Sequence, residues 1–198
     1  MRYFKFLGIL AVMSMFANTV NAETIKLNKP ETTGGMPLME ALAQRKAYRD
    51  FSNKEIDKQT LSNILWAAYG KNERGTRTIP TARNQLNLKI YAVMKDGVWL
   101  YDGEKHALKK IIDKDIRPLL ARQEYVMDAP LNLIFTGTDE IYSATHAGSA
   151  YQNVALYTAS KGMINVVRGM IDKEAIHKEL KLAADEKIIV SQAVGWAK

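Results

Sequence analysis

Cysteine is absent from this chain, which excludes disulfides, thiolate metal sites and a cysteine nucleophile together. Histidine is scarce: His106, His146 and His177 lie too far apart for any local metal-ligand spacing, so no metal is assigned. Internal repeats and low-complexity tracts are missing, and past residue 22 no apolar run is long enough to span a bilayer. What remains is 198 residues, 47% of them hydrophobic. That suffices for one well-buried domain and is too short for two of ordinary size.

The first 22 residues stand apart. Arg2 and Lys5 precede an apolar run from Phe6 to Phe16, and Val20-Asn21-Ala22 offers small residues where a signal peptidase reads. This pattern predicts a secretory signal over 1–22, cleaved before Glu23, and a periplasmic destination. An uncleaved anchor is the alternative, although the run is shorter than the ~20 residues a span needs. Removing Arg2 and Lys5 takes the basic count from 28 to 26 against 21 acids, a net charge of +5. Signs alternate along the chain, as in Asp113-Lys114-Asp115 and Asp172-Lys173-Glu174. Such patterning describes a solvated surface and argues against a nucleic-acid partner; after cleavage no membrane contact is expected either. An exported chain without disulfides must be held by its core or by a partner subunit.

Residues 23–35, with Lys29-Pro30, Thr32-Thr33 and Gly34-Gly35, read as a flexible lead-in, and the domain proper as 36–198. Leu38, Leu42 and the stem of Arg45 predict a short helix ending near Lys46. Asp57 is placed to cap a second helix with an apolar stripe of Leu61, Ile64, Leu65, Ala68 and Tyr69, stopped by Gly70. From Lys71 to Arg83 the chain is polar, basic and punctuated by Gly and Pro, a surface loop. Leu86, Leu88, Ile90 and Ala92 then alternate as a strand, and Asp96-Gly97 turns it into a hairpin with Val98 to Tyr101. A helix is expected from Asp115 to Met127, ahead of Pro130. Leu131 to Phe135 reads as a buried strand. Ala144 to Gly162 mixes small and apolar residues all round, which predicts a helix buried on most sides, central to the domain or at a dimer interface. A helix over Lys173–Leu180 and a strand over Ile188–Val194 complete an α+β layer fold.

Two stretches carry ligand-holding chemistry: Arg45-Lys46-Ala47-Tyr48-Arg49-Asp50-Phe51, and Pro80-Thr81-Ala82-Arg83-Asn84. With Gly148-Ser149-Ala150-Tyr151-Gln152-Asn153 and Val166-Val167-Arg168-Gly169, in this order and spacing, the chain resembles the nitroreductase family of FMN proteins over nearly all of its mature length. Leu65 to Gly70 and the Gly97–Asp102 hairpin look most like the branch containing thiazoline-forming oxidases. The resemblance implies an α+β, nitroreductase-like fold with a central, mainly antiparallel sheet packed by helices in an intertwined homodimer. It places Arg45 on the FMN phosphate and Arg49 by the N1/O2 edge of the ring, with Lys46 and Ala47 on the same element. Pro80, Thr81, Ala82 and Asn84 would reach the flavin of the other subunit. Val167, Arg168 and Gly169 would pass their backbone by N5 and O4, and Gln123 would be a polar ligand, with Arg122 beside it as the other candidate.

Physical chemistry supports these roles. A guanidinium fork meets a phosphate with two parallel hydrogen bonds. A cation beside N1/O2 favours the anionic reduced flavin. Glycine lets a backbone approach a ring closely. For each residue taken singly, a solvated charge or a turn glycine is the plainer alternative. Two departures stand out. The family's serine is Ala47, which removes a hydroxyl contact, and the chain stops at Lys198 where many relatives continue into a basic arm; Lys198, or else Arg83 or Arg77, would serve instead. Tyr48, Tyr69 and Trp99 are either walls of an acceptor pocket or core. The implied reaction is ping-pong electron transfer through FMN to a nitroaromatic, quinone or similar small acceptor, with no catalytic side chain required. NAD(P)H is the family's usual donor and is scarce outside the cytoplasm. A secreted flavin-binding module without turnover is therefore the alternative function.

Overall fold

The structure, a computed structural model, describes residues 23–198. The signal-peptide reading of 1–22 lies outside the described residues. Seven strands form a single sheet: β1 (Thr24–Lys26), β2 (Lys89–Met94), β3 (Gly97–Asp102), β4 (Ala107–Ile112), β5 (Leu131–Gly137), β6 (Ile164–Arg168) and β7 (Lys187–Gly195). Their order is β1-β4-β3-β2-β5-β7-β6, and every pairing is antiparallel.

Helices cover both faces. On one, α2 (Lys58–Tyr69) and the long α4 (Glu140–Ser160) pack Leu61, Ile64, Leu65, Ala147, Ala150 and Val154 onto Ile90, Leu131, Leu133 and Phe135. On the other, α3 (Arg117–Leu120) and α5 (Lys173–Glu179) bring Leu120 and Ile176 against Tyr91, Val93, Ile134 and Ile188. The alternation from Leu86 to Ala92 implies one buried face, but β2 starts at Lys89 and is buried on both, Ile90 and Ala92 on one side and Tyr91 and Val93 on the other; β5 is likewise buried throughout, Asn132 and Thr136 included. Asp57 caps α2 by accepting from the Thr60 amide at 2.8 Å. Asp139 caps α4 in the same way from Tyr142 at 2.7 Å, which starts that helix before the expected Ala144. No helix among the described residues is long and apolar enough to cross a membrane.

Two expectations are corrected. The lead-in over 23–35 is part of the fold: β1 pairs with β4, Leu27 is buried and donates to the His106 carbonyl at 3.1 Å, and the Met36 amide donates to Ser160 Oγ at 2.8 Å. The continuous helix over 115–127 breaks into α3 and a 3-10 turn at Glu124–Val126. At the start of the segment Asp115 Oδ1 accepts from the Arg117 backbone amide at 2.9 Å, and at its end the Arg117 guanidinium donates to the Met127 carbonyl at 3.2 Å. Side-chain bonds of this kind compete with the helical ladder.

Candidate functional site

β6 is the last strand of the sheet, and the Arg45–Phe51 stretch runs along its outer edge. This stretch follows α1 (Leu38–Gln44), whose C-cap is Arg45. Ala47 forms a parallel bridge to Asn165, and the Tyr48 amide donates to the Asn165 carbonyl at 3.0 Å. Farther along, Phe51 pairs with Ala197 and the Ser52 amide donates to the Trp196 carbonyl at 2.8 Å. Phe51 is fully buried against Ala129, Val166 and Ala193. One buried ring thus anchors a segment in which Arg45, Lys46, Ala47 and Arg49 all stay exposed. Neither the Arg45 nor the Arg49 guanidinium has a hydrogen-bond or ion-pair partner among the described residues. Lys46 Nζ sits over the Tyr48 ring, 4.6 Å from its centroid.

The same edge is open past Asn165. Asn165 turns its carbonyl outward to Tyr48 and its side chain inward, where Nδ2 donates to Thr158 Oγ1 at 2.8 Å and Oδ1 accepts from Gln192 at 2.9 Å. By the two-residue period of a strand, the Val167 N–H and C=O face outward as well, and no backbone partner meets them among the described residues. Gly169 follows in open space. The Arg168 side chain goes the other way. It is 5% exposed, and its two terminal nitrogens donate to the Leu120 carbonyl, each at 3.1 Å. Gln123 is half-buried and accepts from the Tyr125 hydroxyl at 2.9 Å.

The Pro80–Asn84 loop turns through two left-handed residues and is held by one histidine. Arg83 and Asn84 take φ values of 53° and 54°, two successive left-handed residues. The Ala82 amide donates to His146 Nε2 at 3.0 Å, which requires a neutral imidazole with its proton on Nδ1. Burial pushes the His146 pKa down and favours that form. Thr81 and Ala82 are half-covered while Pro80, Arg83 and Asn84 project.

The structure does not bring the two stretches together within one chain. The loop is tied to His146, and the Arg45 stretch is tied through Asn165 to Thr158, twelve residues farther along α4. At 1.5 Å per residue the anchors are about 18 Å apart.

Other candidates have structural jobs. Lys198 Nζ lies 3.1 Å from Asp128 and 3.7 Å from Asp50, so its charge is matched by two carboxylates. Arg77 bonds Glu104 at 2.5 Å and stacks on Tyr69. Tyr69 and Trp99 are buried core, and of the three aromatics Tyr48 alone is exposed. Asn153 stitches α4 to the Ala67 and Thr78 carbonyls. Where β7 outruns β6, a groove of about 700 Å³ opens between Ala144, Lys173, His177, Lys187 and Ile189.

His146 and Asn165 were missed by sequence reasoning. Asn165 left a faint signal, a lone amide in an apolar strand; His146 left none, because its partner is a backbone amide 64 residues away.

Known proteins share this fold. A crystal structure from Ralstonia eutropha, described as a nitroreductase relative, is 32% identical, with a TM-score of 0.84 over 100% of this chain and 99% of that one. A nitroreductase-like protein of Methanocaldococcus jannaschii is 29% identical over 182 residues, covering 81% of this chain and 91% of the relative. A structure from Desulfovibrio desulfuricans, solved in complex with FMN, shares the fold at 17% identity and a TM-score of 0.62, covering 83% and 88% of the two chains. The model of the nitroreductase family matches residues 42–196, and the chain belongs to that family.

Proposed function

We propose that the chain is an FMN-dependent oxidoreductase that works as a homodimer. The observation that carries this reading is the pair of partnerless guanidinia, Arg45 and Arg49, beside the open backbone edge at Val167–Gly169. That donor set fits FMN: guanidinium forks for a phosphate, a cation for the ring, and unpaired amides for the ring's polar edge. FMN, when bound, supplies the redox chemistry by taking electrons from a donor and passing them to a small acceptor such as a nitroaromatic or quinone. The chain's own residues hold and orient. Arg45 would fork onto the phosphate, Arg49 would lie by the ring and the Val167 and Gly169 amides would meet the ring edge, while buried Phe51 anchors the Arg45–Arg49 stretch.

A dimer accounts for what one chain leaves apart. The Asn84 loop, whose anchor on α4 lies about 18 Å from that of the Arg45 stretch, would complete the partner's site. Leu38, Met39 and Leu42 form an exposed apolar face on α1, with Met39 74% exposed, and a second copy would cover it. We also propose export through the residue 1–22 signal, with a periplasmic site of action, NAD(P)H being one donor to be tested.

The test is the absorbance spectrum of residues 23–198, as purified and after adding FMN and removing the excess. Flavin bands near one FMN per chain are expected; a colourless protein that ignores FMN overturns the reading. Ala47 and the engaged Lys198 favour a second reading, a flavin-binding module without turnover. Steady-state reduction of a nitroaromatic or quinone would decide against it.

A further inference from the structure

Arg168 is a charge buried without an acid. Beyond the two bonds to the Leu120 carbonyl, its guanidinium donates to Ser191 Oγ at 3.2 Å and lies 5.9 Å from the Tyr125 ring centroid. Its Nε has no partner, and no carboxylate pairs with it among the described residues. Arg117, comparably buried, shows the usual solution: Asp115 grips it at 2.7 Å. Taking a guanidinium out of water without a counter-charge is costly. The bonds Arg168 does make go to a carbonyl and a hydroxyl, neither of which carries a charge, so they account for the shape and leave the charge unmatched.

The position of Arg168 supplies an explanation. It sits on β6 between Val167 and Gly169, the residues whose backbone forms the open edge. A charge in the low-dielectric interior is screened far less than one in water, so it acts across the thickness of a strand. Arg45 and Arg49 are exposed and salt-screened. We propose that the side chain of Arg168 sets the redox poise of a flavin held at the outer edge of β6, favouring its negatively charged reduced state. This rests on the FMN reading above and assigns the charge a role separate from the backbone contact.

The experiment compares midpoint potentials of FMN-loaded wild type, Arg168→Gln and Arg168→Lys, by equilibrium reduction against a reference dye. The measurements span about pH 5 to 7, because burial can lower a lysine's pKa to about 5–6, and the Lys comparison is read at the acid end, where the lysine keeps its proton. Arg168→Gln is expected to bind FMN but lower the ratio of reduced to oxidised affinity about tenfold, a fall of about 30 mV for a two-electron couple. Arg168→Lys, which keeps the charge and loses the fork on Leu120, is expected to hold the wild-type potential. The Gln shift should persist at high salt. An Arg168→Gln protein with the wild-type potential overturns the proposal, as does an Arg168→Lys protein that falls equally far. If Arg168→Gln does not fold, Arg168→Lys decides by itself: an unchanged potential supports the role of the charge and a lowered one overturns it. A wild type that stays colourless defeats the FMN reading and the proposal together, whereas an unshifted variant that binds FMN defeats the proposal alone.

Discussion

Arg45 and His146 work in opposite ways, one through a charge left free in water and the other through a charge kept out. A charge-assisted hydrogen bond to a phosphate contributes roughly 1.5–3 kcal/mol. Arg45→Ala should therefore weaken FMN binding about tenfold to a hundredfold, with the fold unchanged because the side chain is exposed and its guanidinium holds no hydrogen bond or ion pair among the described residues. Fluorescence titration reads this directly, and an unaltered affinity would remove Arg45 from the site. His146 must stay neutral to accept from Ala82, and burial lowers its pKa; burial lowers that of His106 as well. The unfolded chain takes up these protons near the ordinary value of about 6.5, while the folded one does not until lower pH. The stabilisation is thus complete above about 6.5 and is lost as pH falls through the folded values. Melting temperature should drop as pH falls below about 6.5, and His146→Gln, which accepts without titrating, should show a shallower drop. Identical slopes in the two proteins would show that His146 does not couple to folding. The lowered carboxylates, Asp57 and Asp115 among them, lose their contribution only in more acidic solution.

Elements were legible wherever the signal was local. Asp57 at the start of α2, Gly70 at its end and Asp96-Gly97 between β2 and β3 each stand where the sequence places them. β1, β4 and β6 went unread because their identity is set by neighbours. Lys109 and Lys110 interrupt β4, and Lys110 is tolerated there by lying over the Trp99 ring and pairing with Asp113. The site followed the same division. Its ligand-bearing segments could be read from residue order, whereas the open edge of β6 depends on a strand order that no short window contains. Gly97 shows how tightly one such turn is specified: its φ is 135°, and a Cβ there would strike the Ile112 carbonyl. Gly97→Ala should cost about 2 kcal/mol or more through strain and overpacking. For a domain of this size that lowers the melting temperature by about 4–8 °C in a calorimetric scan. An unshifted transition would mean that the hairpin repacks freely.

At the scale of the whole molecule, the distance between the two ligand-bearing stretches makes the homodimer testable without a second structure. If Asn84 serves the partner's flavin, then each site draws Arg45 and Arg49 from one chain and the Pro80–Asn84 loop from the other. Arg45→Ala and Asn84→Ala homodimers should each bind FMN poorly, because every site carries one lesion. In a mixed dimer of the two variants, symmetry gathers both lesions into one site and leaves the other intact. Co-expression with two different affinity tags, followed by sequential capture, isolates that mixed species. It should hold one tightly bound FMN per dimer at wild-type affinity, whereas neither parent does. If both stretches served the same chain's flavin, each site of the mixed dimer would carry one lesion and no tight binding would return. The dimer itself is probed through α1: Leu42→Asp, on the exposed face beside Met39, should yield a monomer by light scattering and lose flavin with it. A monomer that kept its FMN would place the whole site within one chain and assign the apolar face of α1 to another contact.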